Sequence, residues 1–276
     1  IETPIGLTNT LNIFLVANAI VDYMISENPN IRSVNPVVGE TNDGGLNDIQ
    51  GRHIKKEHVF TATKNAKSGP VLEGAVGAGT GTRALGFKGG IGTSSRVLSP
   101  EAGGYTVGVL VQTNFGGSLM INGAPVGREL KISPFSSSIP YDEDEGSCMI
   151  VIATDAPLSN RNLKRIAKRV NHAFGRVGAY SSNGSGDYAI IFSTFKSTES
   201  DELTVDRTEL KNRAMNGLFM ATVEATEEAI INSLFMAETV SSKYGTSEAL
   251  PVEETMKILK KYKALNWNKN LYPWKR

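Results

Sequence analysis

The sequence predicts an α+β fold, with helices layered on strands in one domain. Three observations lead there. Residues 105–114 (YTVGVLVQTN), 148–154 (CMIVIAT) and 187–194 (DYAIIFST) are apolar runs of strand length, too continuous to be half-exposed, and read as buried strands. Amphipathic helical stretches lie between and around them at irregular intervals. No internal repeat of useful length occurs, and 276 residues suffice for one large domain.

Taken in order, Asn9 or Thr10 caps a helix running to about Ser26. Leu11, Phe14, Ala17, Val21 and Met24 form its apolar face, widened at the ends by Leu15 and Ile25. Asn28, Pro29 and Asn30 end it. Residues 35–50 read as a short strand and then a polar, glycine-bearing loop. Residues 74–92 carry eight glycines. Their spacing fits neither a P-loop, which needs Gly-Lys-Ser/Thr, nor the dinucleotide fingerprint. Backbone of positive φ or close approach, beside a site or a neighbouring chain, is the better reading. The strand 105–114 ends at Asn114. After the strand 148–154, Ser159 caps a helix over 160–174 with Leu163, Ile166, Ala167, Val170 and Phe174 on one face. After the strand 187–194, a helical pattern runs from about Thr208 to Val240, and Pro251 opens a last helix to about Tyr262.

Bulk properties exclude more than they identify. Net charge is +1, with 40% hydrophobic and 21% charged residues, so nothing favours a nucleic-acid or anionic-membrane partner. The basic stretch 257–276 reads as a solvated helix face and tail. Cys148 is the only cysteine, which excludes an internal disulfide and a thiolate metal cluster. His53, His58 and His172 form no His-Glu-x-x-His motif, and no Gly-x-Ser-x-Gly elbow supports a serine triad. No metal or organic cofactor is expected. No run of 18 apolar residues predicts a membrane span, and no signal peptide is visible. The start at Ile1, with Met24 the first methionine, suggests a missing N-terminal portion. The compartment expected is cytoplasmic, with periplasmic or secreted placement left open by that missing portion.

One seam raises a chemical question. Four acids, Asp142 to Glu145, run into Gly146, Ser147 and the buried strand. Composition alone favours a plain surface loop. The sharper reading is self-cleavage between Gly146 and Ser147. Ser147 would then be a chain terminus carrying both a hydroxyl nucleophile and an α-amine base of ordinary pKa about 7.7–8.0. Gly146 has no side chain to block attack on its carbonyl. The acid run would keep the upstream arm wet and mobile, and the strand would hold the hydroxyl still.

The segment GSCMIVIATDAPLSNRNLKRIAKR (146–169) resembles the processing site of the L-aminopeptidase/D-amino-acid esterase-amidase family, which includes the β-peptidyl aminopeptidases. Six further blocks follow that family's order: PIGLTNT (4–10), PVVGETNDGGLNDIQGRHI (36–54), EGAVGAGTGTRALGFKGGIGTSSR (73–96), YTVGVLVQTNFG (105–116), NGSGDYAIIFST (183–194) and EATEEAIINSL (224–234). The resemblance implies a four-layer αββα sandwich. It implies one domain of two chains, 1–146 and 147–276, assembled as homo-oligomers, commonly tetramers of the processed pair. Ser147 matches the nucleophile that cuts after Gly146 and later forms an acyl-enzyme. Asn114 matches the oxyanion donor, although a strand-ending Asn is also ordinary turn chemistry. Ser185 and Asp187 match a serine–glycine–acid motif in which a hydroxyl relays a proton and a carboxylate orients it. Asp stands where some relatives carry Glu, and a turn residue is the bland alternative. Glu40 matches a carboxylate that pairs with the substrate's free amine. Asn42 lies where some relatives place an aromatic pocket residue. Cys148, one residue on, should point to the opposite face as a buried small hydrophobe.

The implied partner is a small peptide, amide or ester with a free N-terminal amine. Two alternatives stay open: acyl transfer, as in the related ornithine acetyltransferases, which usually carry threonine as nucleophile, and a non-catalytic binding protein on the same scaffold.

Overall fold

The computed structural model describes residues 1–132, 146–196 and 208–265. The acid run Asp142–Glu145 lies outside them, as does the tail from residue 266.

The chain opens with a short strand, β1 (Ile5–Asn9), before helix α1 (Ile13–Glu27). Strand β2 (Val37–Thr41) returns parallel to β1 with Thr8 opposite Glu40 and Asn9 opposite Thr41. Helix α2 (Lys56–Lys64) follows. The glycine block forms a small hairpin, β3 (Arg83–Ala84) and β4 (Phe87–Lys88), leading into β5 (Ile91–Val97). Strand β6 (Thr106–Asn114), the short helix α3 (Val126–Glu129), strand β7 (Ser147–Thr154), helices α4 (Asn160–Ala167) and α5 (Val170–Val177), and strand β8 (Gly186–Ser193) come next. Helix α6 (Met215–Phe235), the hairpin β9 (Val240–Ser242) and β10 (Gly245–Ser247), and helix α7 (Val252–Lys261) complete the described chain. None of the described helices is long and apolar enough to cross a membrane.

The main sheet has the order β5-β6-β7-β8. Its first two pairings are antiparallel, and β7 and β8 are parallel. A parallel pair needs a long crossover, and α4 with α5 supplies it. Alternation along the strands sorts side chains by face. Val107, Val109 and Val111 of β6, with Cys148, Ile150 and Ile152 of β7, are buried in one cluster with Ile166, Val170, Phe174 and Leu218 of the helices. The other face receives the β1–β2 pair, where a Cβ on Gly39 would stand only 2.5 Å from Met149 Cε. The buried Gln112 side chain ties the two sheets by donating to the Thr8 carbonyl (3.0 Å) and Thr41 Oγ1 (2.7 Å). Helix α1 lies on β1 because Gly6 makes room: a Cβ there would come within 2.9 Å of Val16 Cγ1.

Four helical expectations are corrected. The buried stripe of α1 is Val16, Ala19 and Ile20, whereas Leu11, Phe14 and Ile25 face outward, Phe14 at 82% exposure. This helix is apolar nearly all round, so its spacing selects no face; the gap at Gly6 does. The single helix over 160–174 is two, broken between Ala167 and Val170, with Arg165 and Arg169 both over the Phe219 ring. Ser159 occupies the N-cap position but makes no side-chain cap. Its hydroxyl donates to Glu209, a charge-assisted bond stronger than a neutral one to the backbone. The long pattern 208–240 contracts to α6, followed by the β9–β10 hairpin.

The glycine block is close-packed. A Cβ on Gly92 would collide with the Ala229 carbonyl of α6, and one on Gly90, at φ 157°, with the Gly74 carbonyl. Glycine there lets α6 lie flat on β5.

Candidate active site

The site gathers where β6 ends and β7 begins. In register, Asn114 stands opposite Ser147, Ser147 beside Gly186, and Cys148 beside Asp187. Paired residues share a face, so Asn114, Ser147 and Gly186 look toward the β1–β2 side, and Cys148 and Asp187 toward the helices.

The Asn114 amide is oriented without ambiguity. The backbone N–H of Arg83 donates to Oδ1 (3.1 Å), and Nδ2 donates to the Asn42 carbonyl (2.9 Å). A backbone N–H can only donate and a carbonyl only accept, so the amide has one possible flip. Nδ2 carries two hydrogens, and Asn42 takes one of them.

The Gly146 carbonyl accepts the Gly186 N–H at 2.9 Å. A Cβ on Gly146 would lie 3.1 Å from Ser185 Oγ and 3.2 Å from Phe115 Cα. Ser185 is therefore at the Gly146–Ser147 junction. Its hydroxyl donates to Asp187 Oδ1 at 3.2 Å. Burial raises the Asp187 carboxyl above the ordinary carboxylate range, against hydrogen bonds from Ser181 and Ser185 that lower it. Asp187 reaches the junction through Ser185, since the register turns it away from Ser147.

Cys148 is fully buried among apolar side chains. Burial pushes its thiol well above the ordinary range, and the nearby Asp187 charge adds to this, so no nucleophilic thiolate forms at neutral pH.

Glu40, on β2, accepts a hydrogen bond from the Thr10 hydroxyl. The Asn42 side chain closes a turn by accepting the Gly44 N–H (2.9 Å), while its carbonyl holds Asn114. Asn42 thus enters the arrangement through its backbone. The next residue, Asp43, is buried and bonded by Asn9 Nδ2 (3.1 Å) and Asn47 Nδ2 (2.5 Å).

Reading the sequence missed three groups at this site: the Gly186 N–H, the Arg83 N–H and Lys88, whose ammonium is buried in the glycine block. Backbone donors carry no residue signature. Lys88 carries one, as the lysine of a stretch of closely spaced glycines. No group of three His, Cys, Asp or Glu side chains able to hold a metal occurs among the described residues. His53 pairs with Asp48 at 3.0 Å on the surface, and His58 accepts the Lys55 N–H at the start of α2.

The chain is similar to known proteins over most of its length. The model of peptidase family S58 matches residues 1–248. The β-peptidyl aminopeptidase BapA of Sphingosinicella microcystinivorans is 42% identical over 281 residues, covering 96% of this chain and 70% of the relative. The solved PH0078 protein from Pyrococcus horikoshii OT3 superposes with a TM-score of 0.85 at 46% identity, over 95% of this chain and 74% of that one. The L-aminopeptidase D-Ala-esterase/amidase from Ochrobactrum anthropi, described as a prototype for the serine aminopeptidases and a variant of the Ntn-hydrolase fold, gives 0.84 at 35% identity, over 94% and 73%.

Proposed function

The chain belongs to peptidase family S58, and from that premise we propose that it is a self-processing serine aminopeptidase releasing N-terminal residues from small peptides, amides or esters. The observation that carries this reading is the meeting of three strand ends, Asn114, Ser147 and Gly186, beside a Gly146 carbonyl that already accepts the Gly186 N–H.

Self-cleavage begins when Ser147 Oγ attacks the Gly146 carbonyl carbon. The carbon–nitrogen bond breaks, the departing nitrogen takes the hydroxyl proton, and an ester remains. Negative charge on the Gly146 oxygen is met by the Gly186 N–H, a donor already in place. Water then opens the ester to leave one chain ending at Gly146 and one starting at Ser147, packed as one unit. The new α-amine has an ordinary pKa of about 7.7–8.0, so a useful fraction is neutral near pH 7 and takes the Ser147 hydroxyl proton. Ser185, held by Asp187, is the hydroxyl next to that amine and relays or steadies its proton.

In turnover, Ser147 attacks the carbonyl of the substrate's first residue. The oxyanion lies between the Gly186 N–H and the second hydrogen of Asn114 Nδ2. The amine, alcohol or peptide leaves, and water hydrolyses the acyl-enzyme. Glu40 pairs with the substrate ammonium, which restricts cleavage to the first residue. The processed pairs assemble as a homo-oligomer, a tetramer by family resemblance, which sedimentation would measure.

Intact mass and denaturing electrophoresis test the core of the reading. Wild-type protein should give two fragments, the second starting at Ser147, and Ser147→Ala a single inactive chain. An undivided wild type, or turnover by Ser147→Ala, refutes it. Amides of L-, D- and β-amino acids assayed on one preparation identify the substrate class.

A further inference from the structure

We infer that Lys88 is a positioning residue for the reaction, aligning and polarising the Asn114 amide through the single peptide unit that joins Thr82 to Arg83. The inference rests on the reading of Asn114 as the oxyanion donor.

Lys88 is fully buried. No carboxylate lies within salt-bridge distance of it among the described residues. Its Nζ donates to three backbone carbonyls: Gly79 (2.7 Å), Thr82 (2.8 Å) and Gly89 (2.7 Å). An ammonium has three hydrogens, so these oxygens saturate it. A buried cation with no carboxylate in contact is an expensive way to close a loop that neutral groups would close more cheaply. Burial, reinforced by the nearby Arg83 charge and opposed by Asp43, draws its pKa down to about 8, which still leaves the ammonium as the main form at neutral pH.

The carbonyl of Thr82 and the N–H of Arg83 are the two ends of one peptide unit. That unit is planar and trans, so its C=O and N–H point in opposite directions and fixing one fixes the other. One end accepts from Lys88 Nζ, and the other donates to Asn114 Oδ1 at 3.1 Å. The chain of contacts is therefore ammonium, peptide, side-chain amide. Hydrogen bonds in series polarise one another, most strongly where burial lowers the dielectric, as it does around Lys88 and Thr82. Positive charge at the Thr82 oxygen strengthens the Arg83 N–H as a donor. That draws electrons toward Asn114 Oδ1 and makes Nδ2–H a better donor to a developing oxyanion. This contribution grows as charge builds on the oxyanion, so it belongs in kcat and leaves KM alone.

The test is a double-mutant cycle on full-length, self-processed protein, with kcat expressed per processed molecule on an aminoacyl p-nitroanilide that the wild type cleaves. Lys88→Met keeps the length of the side chain and removes its charge and donors. It should lower kcat roughly 10- to 100-fold, less than the ~10²- to 10³-fold of deleting an oxyanion donor, with KM within about twofold. In the Asn114→Ala background the Lys88→Met loss should vanish, because its target is gone. A purely structural lysine would multiply its loss onto that of Asn114→Ala and move KM as well, and either that result or an unchanged kcat overturns the inference. Should either variant fail to fold or to process, Arg83→Pro deletes the N–H at the far end of the same peptide unit and leaves Lys88 in place. A kcat lowered to the same degree at constant KM then supports the relay, and wild-type kcat overturns it. A wild type inactive on every aminoacyl substrate overturns the aminopeptidase reading and this inference with it. An active wild type with full sensitivity at Asn114 and none at Lys88 overturns this inference alone.

Discussion

Asn114 and Ser147 face each other across the ladder between β6 and β7, the last pair at that end of the sheet. Partners directly opposite on an antiparallel ladder share a face, with Cβ atoms about 4.5–5.5 Å apart. A hydroxyl and an amide donor are thus set by strand pairing, the most rigid element available, while the donor's other contacts come from the loops at Asn42 and Arg83.

That relationship predicts the cost of losing the amide. Asn114→Ala should reduce kcat by on the order of 10²- to 10³-fold with the fold intact, as for other single oxyanion donors. Steady-state kinetics beside a thermal melt measures it. A kcat within a factor of a few of wild type would remove Asn114 from the oxyanion site.

Self-cleavage should be sensitive to one methyl group. In Gly146→Ala the new Cβ would sit 3.1 Å from Ser185 Oγ and 3.2 Å from Phe115 Cα, tight against backbone that cannot move aside. Such contacts force a displacement of a few tenths of an ångström, and since a full ångström costs on the order of 10²-fold in rate, maturation should slow by roughly two- to tenfold. A time course of fragment appearance on a denaturing gel checks this, and processing at the wild-type rate would contradict the packing described.

Asp187 predicts a pH dependence with a definite sign. Burial raises its folded pKa, so protonation is easier in the native protein than in the unfolded chain. Its contribution to stability is fully present below the ordinary carboxylate pKa and is lost as pH rises through the raised value. Asp187→Asn should therefore melt higher than wild type at neutral pH, and the gap should close on acidification. Activity should run the other way, since the proposed relay through Ser185 uses the carboxylate. The wild-type acid limb should lie above the ordinary Asp pKa, and Asp187→Asn should lack both limb and activity. Melts at several pH values with a kcat/KM profile test both halves.

Glu40 predicts selectivity for a free amine. A hydrogen bond to a charged group contributes about 1.5–3 kcal/mol, so Glu40→Gln should weaken capture of an aminoacyl amide roughly 10- to 100-fold. The Thr10 hydroxyl holds the carboxylate, so Thr10→Val should give a smaller loss of the same kind. Hydrolysis of an N-acetylated analogue should be poor in wild type and insensitive to either change. An equal loss on both substrates would place Glu40 outside the amine pocket.

Local pattern made part of this protein legible. The continuous apolar runs around residues 105–114, 148–154 and 187–194 can only be buried strands, and they are β6, β7 and β8. The two-residue period placed Cys148 on the face away from Ser147, and the register agrees. Pro251, unable to sit inside a helix, marks the start of α7. The strand β5 was not legible, because GTSSR within it lacks the apolar signal that its pairing with β6 makes unnecessary. Nor was the buried face of α1, where Phe14 and Val16 are equally apolar and only the gap at Gly6 selects between them.

By itself, then, the chain determined which residues must leave water and which way alternate side chains turn, since both follow from spacing within one segment. The tertiary structure alone decided that Asn114 meets Ser147, that the Gly186 N–H meets the Gly146 carbonyl, and that a lysine lies beneath the loop behind them. Those are contacts between segments far apart in sequence, selected by how faces pack and ladders align, and no local period encodes them.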